Sequence, residues 1–227
     1  TGADTLSTSD NENITAADYS WKQIYANISI TRLDELKNSG DAQKIALVKS
    51  KIQIAEKTIM DTMGTAVYNA GTTNNALVGL RAIVGTASTV GGISQTDYTW
   101  WAGQVDSSST TLSISALQTQ FNAASVDNDL PTVAMATRAN YNRYYALLQP
   151  QQRFMDSESA KGGFSSLMFN GIPLLADSKC PANHVFFLNE NYLHLFVHKD
   201  EDMRFEPFQK PLAQNLKTAK VFWMGAL

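Results

Sequence analysis

Residues from Asp41 to Asn69 form the longest periodic run in the chain, and no other stretch restricts the fold as much. Apolar or small residues fall at Ile45, Val48, Ile52, Ala55, Ile59, Thr62 and Ala66, in alternating steps of three and four. That spacing predicts a helix with one narrow apolar stripe. Lys49, Gln53 and Lys57 make a polar row on another face, and Glu56 and Asp61 add acidic charge. Asp41, after Gly40, is placed to cap the first turn with its carboxylate. Gly71 lies just past the end, where a left-handed residue commonly stops a helix. About 28 residues at roughly 1.5 Å each make a rod on the order of 42 Å long. Such a rod is either the long core helix of an α+β protein or a scaffold that packs on neighbours, and periodicity alone fits both.

Upstream, Thr1 to Asp18 is rich in Ser, Thr, Asn and Asp, with Asp4, Asp10, Glu12 and Asp18 and no lysine or arginine. Such composition buries little apolar surface and is expected to be an exposed arm or loop. Tyr19 to Leu33 then reads as a strand: Ile24, Ala26, Ile28 and Ile30 alternate with Tyr25, Asn27, Ser29 and Thr31. A polar stretch feeding a long strand describes one arm of an extended hairpin, or equally a disordered terminus before the first strand. The chain opens TGADTLSTSD, with neither methionine nor a signal-peptide pattern, and is read as a fragment.

Downstream of the rod comes a Gly- and Thr-rich joint, then Gly91-Gly92, then YTWWAGQVD with Trp100 and Trp101 adjacent. Paired tryptophans among small residues anchor a loop to a core or to a subunit interface; ligand stacking is the weaker alternative. Ser107 to Thr111 is a polar linker. Beyond it a helix over Leu112 to Val126, a buried strand over Thr132 to Thr137 and a helix over Ala139 to Leu148 ending at Pro150 suggest a compact α/β lobe. SLMFNGIPLLAD predicts a hairpin turning at Asn170-Gly171. HVFFLNENYLHLFVH predicts a second, turning at Asn189 to Asn191. LKTAKVFWMGAL predicts a terminal strand with Val221 and Trp223 on one side and Phe222 and Met224 on the other, buried on both faces.

The 227 residues suffice for one large domain or two small ones. A net charge of −3 argues against a nucleic-acid reader working through a basic surface. No apolar run approaches the roughly 20 residues of a membrane span. The single cysteine, Cys180, has no partner for an intrachain disulfide, which fits a reducing cytoplasm or a fold that needs no staples.

Nothing in the sequence assembles into an active site. His194 and His198, four apart in a strand, lie on the order of 13 Å apart, too far to share a zinc ion. Cys180 has His184 four residues on but no third member of a triad; a buried or turn cysteine explains it as well. Lys199 to Asp202 is a charge cluster that a solvated turn accounts for. No metal or cofactor is expected.

The order of the segments resembles the major capsid proteins of tailed bacteriophages, of the Hong Kong 97 type. Five stretches carry the resemblance: WKQIYANISI running into the long helix, GLRAIVG followed by GGIS, YTWWAGQVD, LLQPQQRF with FNGIPLLAD, and CPANHVFFLNENYL. It implies an α+β fold with residues 1–21 as part of an extended hairpin, the E-loop, and residues 22–110 as a peripheral domain containing a spine helix at 41–69. It further implies an axial domain at 111–205 and a return to the peripheral domain at 206–227. The function implied is self-assembly into pentamers and hexamers of an icosahedral head, built in the host bacterial cytoplasm and enclosing DNA without sequence-specific contacts. Scaffolding, portal and decoration proteins are the further partners implied. Assembly contacts are expected at Asp4, Asp10 and Glu12 against Lys49 and Lys57 of a neighbour, and at Trp100 and Trp101. Residues 1–20 hold no lysine, so isopeptide cross-linking through this part of the loop is not expected. Two rivals stand beside this reading: an encapsulin-like compartment, which shares the fold, and a small α/β hydrolase using Cys180 or the histidines. A surface adhesin has no positive feature.

Overall fold

The computed structural model describes residues 15–38, 41–71, 76–108, 111–152, 167–212 and 215–227. Asp4, Asp10, Glu12, the cap at Asp41 and the side chain of Ile45 lie outside the described residues.

Two sheets organise the chain. In the first, β1 (Lys22–Thr31) runs antiparallel to β10 (Leu216–Ala226) through ten consecutive pairs, from Lys22↔Gly225 to Thr31↔Leu216. On the other side β10 pairs with β8 (Phe196–Val197) and β9 (Arg204–Gln209). The alternation in β1 is realised: Ala26, Ile28 and Ile30 are buried while Tyr25, Asn27, Ser29 and Thr31 are exposed. The strand starts at Lys22 rather than Tyr19, and it stops at Thr31 for a local reason. The Thr31 hydroxyl accepts from the Asp34 amide at 3.2 Å, capping a short helix, α1 (Arg32–Lys37), that takes up Leu33.

The long helix, α2 (Asp41–Val67), lies on the buried face of this sheet. Ala55 and Ile59 pack with Ala26, Ile28, Ala219, Val221 and Trp223, and Ile52 and Met63 flank them. The expected stripe therefore drifts by one position at its end: Thr62 is exposed and Met63 takes its place. The last turn tightens, with Tyr68 and Asn69 amides bonding three residues back to Thr65 and Ala66. Gly71 follows at φ 67°. Burial on both faces of β10 is not found: Val221 and Trp223 are buried, but Phe222 and Met224 are half-exposed, because α2 covers one face only.

A small unit follows, with α3 (Leu80–Ile83) and the two-residue hairpin β2 (Thr89–Val90) and β3 (Ile93–Ser94). The chain then runs through α4 (Ile114–Ala123) into the second sheet, of β4 (Val133–Ala136), β5 (Met168–Phe169), β6 (Ile172–Ala176) and β7 (Val185–Leu188), in the order β5-β6-β4-β7. Among its described strands only β4 and β6 are parallel. The β5–β6 turn is the expected one. Asn170 and Gly171 both take positive φ, 47° and 83°, as the tight hairpin turn demands. Helices α4 and α5 (Arg138–Gln152) cover this sheet through Leu117, Phe121 and Tyr144.

Two expectations fail here. Pro150 lies inside α5 and does not end it; a proline removes one backbone bond, and the helix runs two residues beyond it. HVFFLNENYLHLFVH is not a hairpin. β7 pairs with β4 and β8 with β10. The Asn189 side chain accepts from the Asn191 amide at 3.1 Å, and a 3-10 turn at Glu190–Tyr192 redirects the chain to the first sheet.

Candidate functional site

The exposed face of α2 is the first candidate surface. Lys49, Gln53 and Lys57 recur every four residues and stand in solvent, and no ion pair joins either lysine to another described residue. Ile54 and Met60, 62% and 59% exposed, lie on the same helix. Two other charges of the helix are committed within the chain. Lys51 Nζ donates to the Ser29 carbonyl at 2.6 Å, and Asp61 pairs with Lys179. Among the described side chains of α2, Lys49 and Lys57 are thus the cations left facing outward. Their expected acidic partners lie outside the described residues.

The second surface is the tryptophan turn. The chain reaches it from Gln95, a fully buried side chain whose amide nitrogen donates to the Ala82 and Ile83 carbonyls and whose oxygen accepts from the Ser88 amide. Those bonds tie the β2–β3 hairpin to the end of α3. The Trp101 indole N–H then donates to the Val90 carbonyl at 3.0 Å, and the Gly103 amide to the Gly85 carbonyl at 2.9 Å. Gly103 must be glycine: a Cβ there would sit 2.3 Å from the Val84 carbonyl oxygen. On this fixed base Trp100 projects outward, 64% exposed, with its ring edge-on to both Tyr98 and Trp101. The pair divides its labour: Trp101 anchors and Trp100 is presented.

A third cluster, which sequence reading missed, joins the end of α2 to the second sheet. The Tyr68 hydroxyl donates to Asp177 at 2.6 Å, and its ring packs on Phe186. Asp177 also accepts from the Lys179 amide at 2.8 Å, while the Lys179 ammonium reaches Asp61, about two helix turns before Tyr68. Burial, and then the Asp177 carboxylate, push the Tyr68 hydroxyl far above its ordinary range, so it stays a donor.

Cys180 belongs to that cluster and has no catalytic setting. Its thiol approaches the backbone carbonyls of Pro181 and His184, not an imidazole. Burial first, and Asp177 second, push its pKa up to about 11, the opposite of an activated thiolate. The His184 ring stacks on Phe186, and His198 lies edge-on to Trp21. Among the described residues no three His, Cys, Asp or Glu side chains could hold a metal ion. Two shallow cavities, of about 180 Å³ between Tyr19, Gly91 and Leu227 and about 290 Å³ between Val126, Leu130 and Tyr192, are lined by neither Cys180 nor a histidine. No helix among the described residues is long and apolar enough to cross a membrane.

No protein-family profile matches the chain, and no curated protein sequence does. Solved structures do match. A chain of the cyanophage A-1(L) capsid asymmetric unit is 18% identical, with TM-score 0.60, over 91% of this chain and 73% of that one. A chain of the holo-SrpI encapsulin complex from Synechococcus elongatus PCC 7942 is 10% identical, with TM-score 0.58, over 91% and 69%. A chain of the satellite phage P4 procapsid, which includes size determination (Sid) protein, is 13% identical, with TM-score 0.51, over 99% and 75%. The chain has the fold of phage capsid shells, which is also that of an encapsulin.

Proposed function

We propose that this chain is a structural subunit, the major capsid protein of a tailed bacteriophage, and that it works by self-association into a closed icosahedral head. The observation that carries the reading is the likeness over 91% and 99% of the chain to chains of a phage capsid and a phage procapsid. The surfaces agree with it. Exposed cations, an outward tryptophan on a rigid base and a thiol held protonated suit contacts between copies better than chemistry on a substrate.

In this reading residues 1–21 are part of the E-loop, 22–110 the peripheral domain around the spine helix, 111–205 the axial domain, and 206–227 the return. The last part of the axial stretch crosses back at Phe196 to pair with β10. Asp4, Asp10 and Glu12 of one copy approach Lys49 and Lys57 of the next, and Trp100 enters a second contact. Exposed pairs are worth only about 0–1 kcal/mol each, but a shell repeats them. DNA lies inside without base-specific contact, with assembly in the host cytoplasm and scaffolding, portal or decoration proteins as further partners.

Electron microscopy of the expressed protein, alone and with any scaffolding partner encoded beside it, tests the reading. Closed shells, pentamers or hexamers support it; uniform small particles under every salt condition overturn it. Lys49→Glu with Lys57→Glu tests the charge contact, which fails if assembly and its salt dependence are unchanged. The encapsulin reading is favoured by the SrpI likeness. Purified particles holding a protein cargo and no DNA decide for it.

A further inference from the structure

The cavity of about 290 Å³ is a groove at one end of the second sheet, and its walls are tied in place. Val126 and Asp129 exchange backbone bonds at 3.1 and 2.8 Å around a tight turn in which Asp127 takes φ 50°. The Asn189 side-chain amide donates to the Leu130 carbonyl at 3.1 Å, and the Tyr192 hydroxyl donates to Asp129 at 2.6 Å. Pro131 and Phe187 complete the lining. Val126, Leu130 and Tyr192 are each more than half exposed. An apolar opening held this firmly loses little freedom when it is filled, which suits a docking surface. The groove and its chain neighbours, 111–152 and 167–212, are described throughout.

Charge decides what can enter. Asp129 spends one carboxylate oxygen on Tyr192, and the other has no hydrogen-bond partner among the described residues. Asp127 and Glu190, on the same two segments, are exposed and in no ion pair with a described residue. No lysine or arginine lines the groove. The other end of the same unit is the reverse. Arg138 and Arg143, in the first two turns of α5, are exposed and likewise unpaired among the described residues. The first turn of α5 holds no acidic residue, so Arg138 stands unopposed at the positive end of the helix dipole. Ala139 and Ala146 lie on the same exposed face and leave room for a close approach.

The groove lies before β4 and the arginines after it. From Thr132 to Thr137 is roughly 17 Å at about 3.3 Å per residue. From there α5 leads away to β5, the strand farthest from β7, where the Tyr144 hydroxyl donates to the Met168 carbonyl at 2.9 Å. One copy therefore does not close this contact on itself. We propose that the groove receives the arginine-bearing start of α5 from a second copy of the chain. This rests on the self-assembly reading. An arginine matches both halves of the site. Its guanidinium meets the open oxygen of Asp129 and lies over the Tyr192 ring, while its aliphatic stem packs on Val126 and Leu130. Every copy carries one groove and one such helix start, so each satisfies the other in equal number. Contacts between unlike surfaces of this kind run head to tail and close into rings.

The test is a charge reversal in the full chain, beside thiol labelling at the groove. Asp129→Arg alone, and Arg138→Glu with Arg143→Glu, should each keep the circular dichroism of the fold and lower assembly by about tenfold or more. All three changes in one chain reverse both surfaces and should restore assembly, which a merely structural role for these residues would not do. On a Cys180→Ala background, Leu130→Cys should react with a maleimide at least about tenfold more slowly in assemblies than in the dissociated chain. If a charge variant does not fold, oxidation of a mixture of Leu130→Cys and Ala139→Cys chains takes its place and should yield a disulfide between copies. A Leu130→Cys thiol already slow in the dissociated chain means that the chain fills its own groove, and overturns the proposal. Charge variants that assemble normally, or a triple variant that stays unassembled, overturn it and leave self-assembly standing. No assembly by the unaltered chain overturns the reading beneath it.

Discussion

The hydroxyl of Tyr68, at the end of the long helix, donates to the carboxylate of Asp177, at the end of β6, 109 residues away at 2.6 Å. Asp177 is held in turn by the Lys179 amide, and its own amide donates to the Ala136 carbonyl in β4. With the Lys179–Asp61 pair, this clamps one end of the second sheet to the last two turns of α2. The ion pair is partly exposed and contributes little; the buried tyrosine is the stronger member.

Tyr68→Phe removes the donor and keeps the ring on Phe186. Asp177 retains its backbone partner, so the expected loss is about 1 kcal/mol, typical of one net hydrogen bond. In a chain of this size that lowers the melting temperature by roughly 2–4 °C. Asp177→Ala leaves the buried hydroxyl only the weakly accepting Met135 sulfur at 3.6 Å and should cost more, about 1–3 kcal/mol. Thermal unfolding followed by circular dichroism measures both; equal losses from the two changes would contradict this account.

Gln95 offers a sharper case, because three backbone groups depend on one side chain. Gln95→Leu keeps the volume but leaves the Ala82 and Ile83 carbonyls and the Ser88 amide without that partner. The expected cost is about 3 kcal/mol, read as the shift of a urea midpoint at unchanged slope. Gln95→Glu should also destabilise, since its carboxylate faces the same two carbonyls. A loss below about 0.5 kcal/mol, the scale of a surface substitution, would show that the three bonds do not hold this unit.

The difference between these two sites is also the difference between what was legible in the sequence and what was not. The long helix, β1, the Asn170-Gly171 turn and the inward side of β10 follow from periods of 3.6 and 2 or from a turn's demand for positive φ, all local signals. Gln95 sits in ISQTD with nothing to mark it, because its burial is made by α3 arriving from elsewhere. Tyr68 reads as a helix-end aromatic until β6 brings Asp177 to it. The LNENYLHLF stretch misled for the same reason: its alternation is real, but an Asn189 turn and pairing with distant β10 decide the topology. Lys49 and Lys57 were legible as a polar row, and the two tryptophans as an anchor for a loop. Which ring faces outward depends on the Val90 carbonyl that holds Trp101, and the partners of these groups are not readable from one copy of the chain.

The two adjacent tryptophans should separate cleanly under substitution. Trp101→Phe loses the bond to the Val90 carbonyl and should cost about 1 kcal/mol of stability. Trp100→Ala removes a ring standing mostly in water and should change stability by no more than about 0.5 kcal/mol. In assembly the order reverses, with Trp100→Ala the more damaging of the two, as expected for an aromatic presented to a neighbour. Chemical denaturation gives the first comparison, and sedimentation of assembled against free protein the second. If Trp100→Ala assembled normally, the outward ring would have no part in contacts between copies.

Cys180 supplies a prediction in pH. Its folded pKa is pushed up to about 11 from 9.0, mainly by burial and then by Asp177. Between those values the unfolded chain has released the thiol proton and the folded chain still holds it. Stability from this group is therefore complete below about pH 9 and is lost as pH rises toward about 11, where the folded thiol ionises too. Cys180→Ala removes the titration and should flatten that part of the pH profile relative to the unaltered chain. The same burial makes the thiol slow toward iodoacetamide at pH 8 in the folded state and fast in urea. Rapid labelling of the native protein at pH 8 would mean an accessible, ionised sulfur, and would restore the cysteine to the list of chemically active groups.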